Sequence, residues 1–210
     1  MKRQWISTAV FLLSTAVGVC ELVVAQETWR VSVSSSGDQG NGDSGDYLYG
    51  QTLPSLSANG RFVAFISDAS NLVMGDTNQA TDVFVHDRQT GTTNRVSVDS
   101  SGAQANNYCG VPSISADGRF VAFYGLASNL VPGDSNNGGD AFVHDRDTGI
   151  TTRVSVDSSG VQGNAWSSGG AVSADGRFVA FYSTANNLVP GDTNQVIDVF
   201  MHDRQTGMTE

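Results

Sequence analysis

Apolar residues in this chain come in short runs, and the runs recur. Arg119 to Tyr124 places Phe120 and Ala122 on one face of an extended segment and Val121 and Phe123 on the other. Successive side chains of a strand alternate between faces, so this segment is predicted as a strand buried on both sides. Val111 to Ser115 before it, and Asp140 to Arg146 and Thr151 to Val156 after it, read as three further strands. The turns Ala116-Asp117-Gly118 and Asp147-Thr148-Gly149 separate them with residues that suit hairpins. No stretch after residue 25 sustains the 3.6-residue period of an amphipathic helix.

The same pattern returns at a fixed step. Ser-Ala-Asp-Gly-Arg-Phe-Val-Ala-Phe at 115–123 recurs unchanged at 173–181 and, with Asn59 for the Asp, at 57–65. Asp-Val-Phe or Asp-Ala-Phe follows at 82, 140 and 198, and His-Asp-Arg at 86, 144 and 202, so every interval is 58 residues. A period of this length marks an array of one supersecondary unit. A four-stranded antiparallel unit with two apolar faces must stack on copies of itself, and radial stacking gives a β-propeller. A linear β-solenoid is the other arrangement for tandem strands, but its coils are shorter and carry fewer hairpin turns. Three blades are expected, at about 50–98, 110–156 and 168–210, in a domain spanning 26–210.

Ser-Ala-Asp-Gly-Arg-Phe-Val-Ala-Phe followed by Asp-Val-Phe-Val-His-Asp-Arg-Gln-Thr-Gly and Arg-Val-Ser-Val resembles the blade repeat of TolB-like β-propellers, across essentially all of residues 29–210. The resemblance implies an all-β fold of four-stranded antiparallel blades, with three blades forming part of a six-bladed ring. It also implies residence in the bacterial periplasm or outside the cell. It implies no common activity, because such propellers serve as binding platforms, partner scaffolds or accessory domains of hydrolases. One departure is the loop between the second and third strands, which is long here (residues 71–81 in the first blade).

Trp29 to Ser34 reads as an extra fourth strand with no first three before it, and Glu210 falls where the fourth strand of the third blade would begin. Three blades are fewer than the roughly four to eight of closed propellers. Two arrangements answer this. Further blades in a longer parent chain complete the ring, or two copies form a homodimer that closes six blades by exchanging strands.

Residues 1–25 change the compartment. Lys2 and Arg3 form a basic start, Ile6 to Val19 is mostly apolar, and Val23 and Ala25 are small residues before a cut. This is the pattern of a signal peptide, shorter than a membrane span needs to be, and it directs export to the periplasm or beyond. The remaining chain has nine basic residues, all arginine, against 20 acidic ones, a net charge of −11. Such a chain repels phosphate backbones and anionic lipid, which disfavours nucleic acid and membrane-surface partners. Cys20 leaves with the signal, so Cys109 has no internal disulfide partner.

The long loops carry the candidate chemistry. In an up-and-down blade the loop after the second strand and the link to the next blade open on one face. Asp76, Asn78 and Asp82 recur as Asp134, Asn136, Asp140 and as Asp192, Asn194, Asp198. Carboxylate and amide oxygens at alternate positions are how short loops present ligands to Ca²⁺, the one cofactor these residues suggest. Asx-turns that satisfy loop backbone are the metal-free alternative. The histidines sit at one repeat position, a blade width apart, too far to share a zinc ion, and read as packed third-strand side chains bonded to a neighbouring blade. Arg61, Arg119 and Arg177 are expected ion-pair partners for the adjoining aspartates. No Gly-x-Ser-x-Gly, His-Glu-x-x-His or phosphate-loop motif is present. Tyr47, Tyr49, Asn107, Tyr108 and Trp166 in the linkers are a candidate rim for a glycan or peptide. Packing between blades is the alternative for those rings. The sequence therefore points to an exported, non-enzymatic binding or scaffold module with a protein or glycan partner. An accessory or catalytic part of a propeller hydrolase or lyase acting on glycans or peptides is the alternative.

Overall fold

A computed structural model describes residues 28–45 and 53–210. The described residues hold twelve strands in three antiparallel sheets of four, each in chain order. Blade 1 contains β1 (Ser55–Leu56), β2 (Phe62–Ser67), β3 (Asp82–Asp87) and β4 (Thr92–Arg95). Blade 2 contains β5 (Cys109–Ile114), β6 (Phe120–Gly125), β7 (Asp140–Asp145) and β8 (Ile150–Arg153). Blade 3 contains β9 (Ser167–Val172), β10 (Phe178–Ser183), β11 (Asp198–Asp203) and β12 (Met208–Thr209). Register repeats with the sequence: Phe62 opposes Asp87, Phe120 opposes Asp145 and Phe178 opposes Asp203. The fold is thus all-β, a partial β-propeller of three blades.

The two apolar faces of each second and third strand do what their pattern requires. Val83 and Val85 of blade 1 share one buried cluster with Val121, Phe123 and Phe142 of blade 2. Ala141 and Val143 of blade 2 pack in the same way with Val179, Phe181 and Phe200 of blade 3. Inside each blade a phenylalanine pair stacks with ring centroids 5.7–5.8 Å apart: Phe65 on Phe84, Phe123 on Phe142, and Phe181 on Phe200.

Polar contacts fix the turns within each blade and between neighbouring blades. Arg61, Arg119 and Arg177 each make a two-pronged pair with Asp87, Asp145 and Asp203, as expected, with NH2 to Oδ2 at 2.7 Å. The guanidinium holds each of these carboxyls well below the usual carboxylate range. The Phe62 ring lies between Arg61 of its own blade and Arg146 of blade 2, and Phe120 between Arg119 and Arg204 of blade 3. Gly118, at φ +81°, lets its turn lie against the Phe62 ring, and a Cβ there would collide with that ring.

His86, His144 and His202 differ from expectation in one detail. Each Nδ1 meets the hydroxyl of Thr93, Thr151 or Thr209 in the same blade, at 2.9 Å. The threonine reaches the neighbouring segment instead, donating to the backbone oxygen of Val33, Val98 or Val156. Burial lowers the pKa of all three imidazoles. The extra strand expected over 29–34 does not form within the described residues, where only an isolated bridge joins Val33 to Gln39. The equivalents, Val98 with Gln104 and Val156 with Gln162, form the same bridge just past a fourth strand. Among the described residues, no third strand of the same blade pairs with residues 30–33.

Candidate functional site

Each long-loop aspartate pair of the first two blades surrounds an arginine. Asp82 is fully buried and receives Ser97 Oγ at 2.5 Å and Gln104 Nε2 at 2.9 Å. Arg95 NH1 lies 3.3 Å from Asp82 Oδ2 and 3.6 Å from Asp76 Oδ1, with its side chain 10% exposed. Blade 2 repeats this with Asp140, Ser155, Gln162, Arg153 and Asp134. Burial raises the pKa of Asp82 and Asp140, opposed by the hydrogen bonds from serine and glutamine and by the arginine charge. Asn78 and Asn136 donate to their aspartates and to the backbone oxygens of Ala105 and Gly163. The charge facing these oxygens, where the sequence suggested Ca²⁺, is a guanidinium. In blade 3, Asn194 donates to Asp198, and no arginine reaches Asp192 or Asp198 among the described residues. Among those residues no three His, Cys, Asp or Glu side chains gather as a metal cage.

The predicted rim residues Tyr108 and Trp166 do come together, through two tyrosines that sequence reasoning missed. Tyr108, Tyr124, Trp166 and Tyr182 form one row, with consecutive ring centroids 6.1, 6.0 and 5.6 Å apart. The rings are tilted by 55–64°, edge to face. Trp166 Nε1 donates to Tyr124 Oη at 3.0 Å, and burial raises the Tyr124 phenol. Tyr108, Tyr124 and Trp166 are partly buried, and Tyr182 is an exposed large side chain. Tyr108 and Trp166 hold one repeat position, just before the first strand; Tyr124 and Tyr182 hold another, near the end of the second strand. Blade 1 has Ile66 at the second position. The signal was therefore legible: a pair of aromatics 58 residues apart at a strand end, facing a linker aromatic. Tyr47 and Tyr49 lie outside the described residues.

The row is held rigidly. Trp166 carbonyl accepts from Thr184 N at 2.9 Å and from Ser183 Oγ at 3.0 Å. Tyr108 carbonyl accepts from Leu126 N, and Asn107 Oδ1 accepts from Tyr108 N. Gly139 lies under the Tyr124 ring, where a Cβ would overlap it. Beside Tyr108 the first strand bulges between Gly110 and Ser113, and Val111 sits at φ +51°, rare and strained for a β-branched residue. Cys109 is fully buried next to this bulge, and burial raises its thiol pKa well above the usual range.

No protein-family model matches the chain, and no curated protein does. Among solved structures it is similar to TolB from Acinetobacter baumannii, at 18% identity over 76% of this chain and a TM-score of 0.47. It is similar to the β-propeller domain of the trilobed protease from Pyrococcus furiosus, at 11% identity over 75% of this chain and a TM-score of 0.45. It is also similar to Pyrococcus horikoshii acylaminoacyl peptidase, at 12% identity over 80% of this chain and a TM-score of 0.44. The chain spans 31% of the first, 40% of the second and 24% of the third. TolB, whose blade the repeat resembles, is thus among the structures it is similar to. The assignment as propeller blades stands on the three sheets of the chain itself.

Proposed function

We propose that this chain is an exported, non-enzymatic binding module that takes a glycan or peptide on its long-loop face. The observation that carries the reading is the row Tyr108–Tyr124–Trp166–Tyr182, partly exposed and fixed by backbone hydrogen bonds. Aromatic rings on a rigid frame offer large contact area at low entropic cost, the character of a binding surface. Export rests on the signal pattern of residues 1–25, which lie outside the described residues; no helix among the described residues is long and apolar enough to cross a membrane. Against a hydrolase or lyase role stands the use of the histidines, each tied through Nδ1 to a threonine rather than to a nucleophile. In the first two loops Arg95 and Arg153 supply the positive charge that faces the carboxylates. The test is a paired screen of the purified chain and Tyr182→Ala on an oligosaccharide array and a peptide array. Ligands that bind the native chain and lose at least about tenfold in affinity with Tyr182→Ala, roughly 1.4 kcal/mol, are expected. Ligands insensitive to both Tyr182→Ala and Trp166→Ala would move binding off the row.

A further inference from the structure

The aromatic row has an acidic neighbour in blade 1. Backbone pairing shows which residues share a position: Leu126 N donates to Tyr108 O, Thr184 N to Trp166 O, and Asp68 N to Asp43 O. Asp43 therefore stands where Tyr108 and Trp166 stand, and Asp68 where Leu126 and Thr184 stand, an equivalence the 58-residue step does not show. Asp43 and Asp68 are exposed, and Ile66, at the position of Tyr124 and Tyr182, is buried. The Asp68 carboxylate accepts a hydroxyl, from Thr81, and no arginine reaches either aspartate among the described residues. Arg61, Arg119 and Arg177 stand at the short turns, at the other end of the strands. The row thus runs from two exposed carboxylates in blade 1, past Leu126 at 42% exposure, to the rings of blades 2 and 3.

The polar groups left open among the rings are donors. Trp166 Nε1 is spent on Tyr124 Oη, which leaves the Tyr124 hydroxyl hydrogen to donate outward, and Tyr182 offers a second, exposed hydroxyl. The amides of this face are used up within it: Asn106 on Ser128, Asn164 on Asn186, and Gln162 on Asp134 and Asp140. Asn107 Oδ1 is taken by the Tyr108 N–H. A sugar, whose hydroxyls both donate and accept around its ring, finds few open partners here. Its flat side also needs an open ring face, whereas these rings stand at 55–64° to one another and form grooves.

A polyproline II segment suits such a surface. Its prolines have no N–H, so carbonyl oxygens are the groups that a partner must satisfy. It rises about 3.1 Å per residue, so two residues cover about 6 Å, the step between successive rings. Aromatic-lined grooves receive such segments because the extended helix is already formed before binding.

Resting on the reading of the row as the binding surface, we propose that its ligand is a proline-rich peptide with a Lys or Arg at one end. The prolines lie in the grooves between Tyr108, Tyr124, Trp166 and Tyr182. The Tyr124 and Tyr182 hydroxyls donate to peptide carbonyls, and the basic residue meets Asp43 and Asp68.

The experiment is calorimetric titration of the purified chain with two peptides, and with chitohexaose and cellohexaose. Both peptides hold three Ala-Pro-Pro repeats; one carries Arg-Arg at each end and the other Glu-Glu. The expected result is saturable binding of the Arg peptide and binding of the Glu peptide weaker by at least about tenfold, since like charges then meet at Asp43 and Asp68. Asp43→Asn combined with Asp68→Asn should shrink that preference to below about threefold, and Tyr182→Ala should weaken the Arg peptide. Failure of both peptides to bind, equal affinity for the two, or a preference that survives the paired asparagines would overturn the proposal. Binding of the oligosaccharides alone, weakened by Tyr182→Ala, would overturn it while keeping the row as a glycan site. Peptide binding indifferent to both Tyr182→Ala and Trp166→Ala would overturn the reading of the row itself, and the proposal with it.

Discussion

Replacing Arg95 with alanine leaves two carboxylates facing each other inside the protein. Asp82 is 0% exposed, the Asp76 side chain is 6% exposed, and the lost guanidinium sits 3.3 and 3.6 Å from them. At an effective dielectric of about 20, each contact is worth roughly 4–5 kcal/mol before desolvation is counted. Removing one partner of a buried ion pair costs about 3–5 kcal/mol, because the remaining charge is stranded. Arg95→Ala is expected to lose that much at pH 7, read as a shift of the urea midpoint at unchanged slope. Burial already raises the Asp82 pKa, and loss of the arginine pushes it higher. A carboxyl whose folded pKa is raised is stabilised by protonation, so the deficit of Arg95→Ala against native protein must shrink as pH falls from 7 to 5. Asp82→Asn added to Arg95→Ala should recover part of the loss at pH 7. A deficit below about 1 kcal/mol, the scale of an exposed pair, or one of equal size at both pH values, would refute the reasoning.

The same structure sets three further expectations. Gly118→Ala combines a left-handed backbone with a collision against Phe62, whereas Gly149→Ala at φ +74° meets nothing within 4 Å. The second should cost about 1–2 kcal/mol and the first clearly more, as thermal melts of the pair will show. Native stability should fall in two stages on acidification. Buried His86, His144 and His202 have lowered pKa values, so their stabilisation is present above the ordinary histidine value of about 6.5 and is lost below it as the unfolded chain takes up protons. Asp87, Asp145 and Asp203 are held low by their arginines, so their contribution is lost only as pH falls below about 4. His144→Gln should flatten the first stage of a melting-temperature profile and leave the second. Addition of EDTA should leave the melting temperature unchanged, since Arg95 and Arg153 already neutralise two of the loops; a Ca²⁺-dependent rise removed by Asp192→Ala would instead place a cation in the third.

Much of the fold was legible because it is periodic. Strict two-residue alternation in Phe120–Gly125 and the 58-residue step leave one way to bury both faces. The Arg119–Asp145 pair could also be read, since both residues flank turns on one edge. The Thr–carbonyl link was not legible: it depends on how the leading segment lies across the fourth strand, a contact 60 residues distant for Thr93 and Val33. The arginine partners of the acidic loops were hidden for a related reason. Asp82 and Asn78 have the spacing of a cation site, but the cation arrives from Arg95, 13 residues on and one strand over. The linker position of Trp166 marks it as a rim candidate with Tyr108, whereas the pattern around its neighbour Tyr124 shows only the end of a buried strand. At that position the side chain turns toward Trp166 of the next blade and is only partly buried.

The central claim is that the aromatic row binds ligand, and Trp166 can report on it directly. In a Trp5→Phe, Trp29→Phe variant, Trp166 is the sole source of tryptophan emission. Titration with cellohexaose, xylohexaose, chitohexaose and a proline-rich decapeptide should shift that emission saturably with at least one of them, and Tyr182→Ala should weaken the response. Emission unmoved by every one of these ligands would contradict the account.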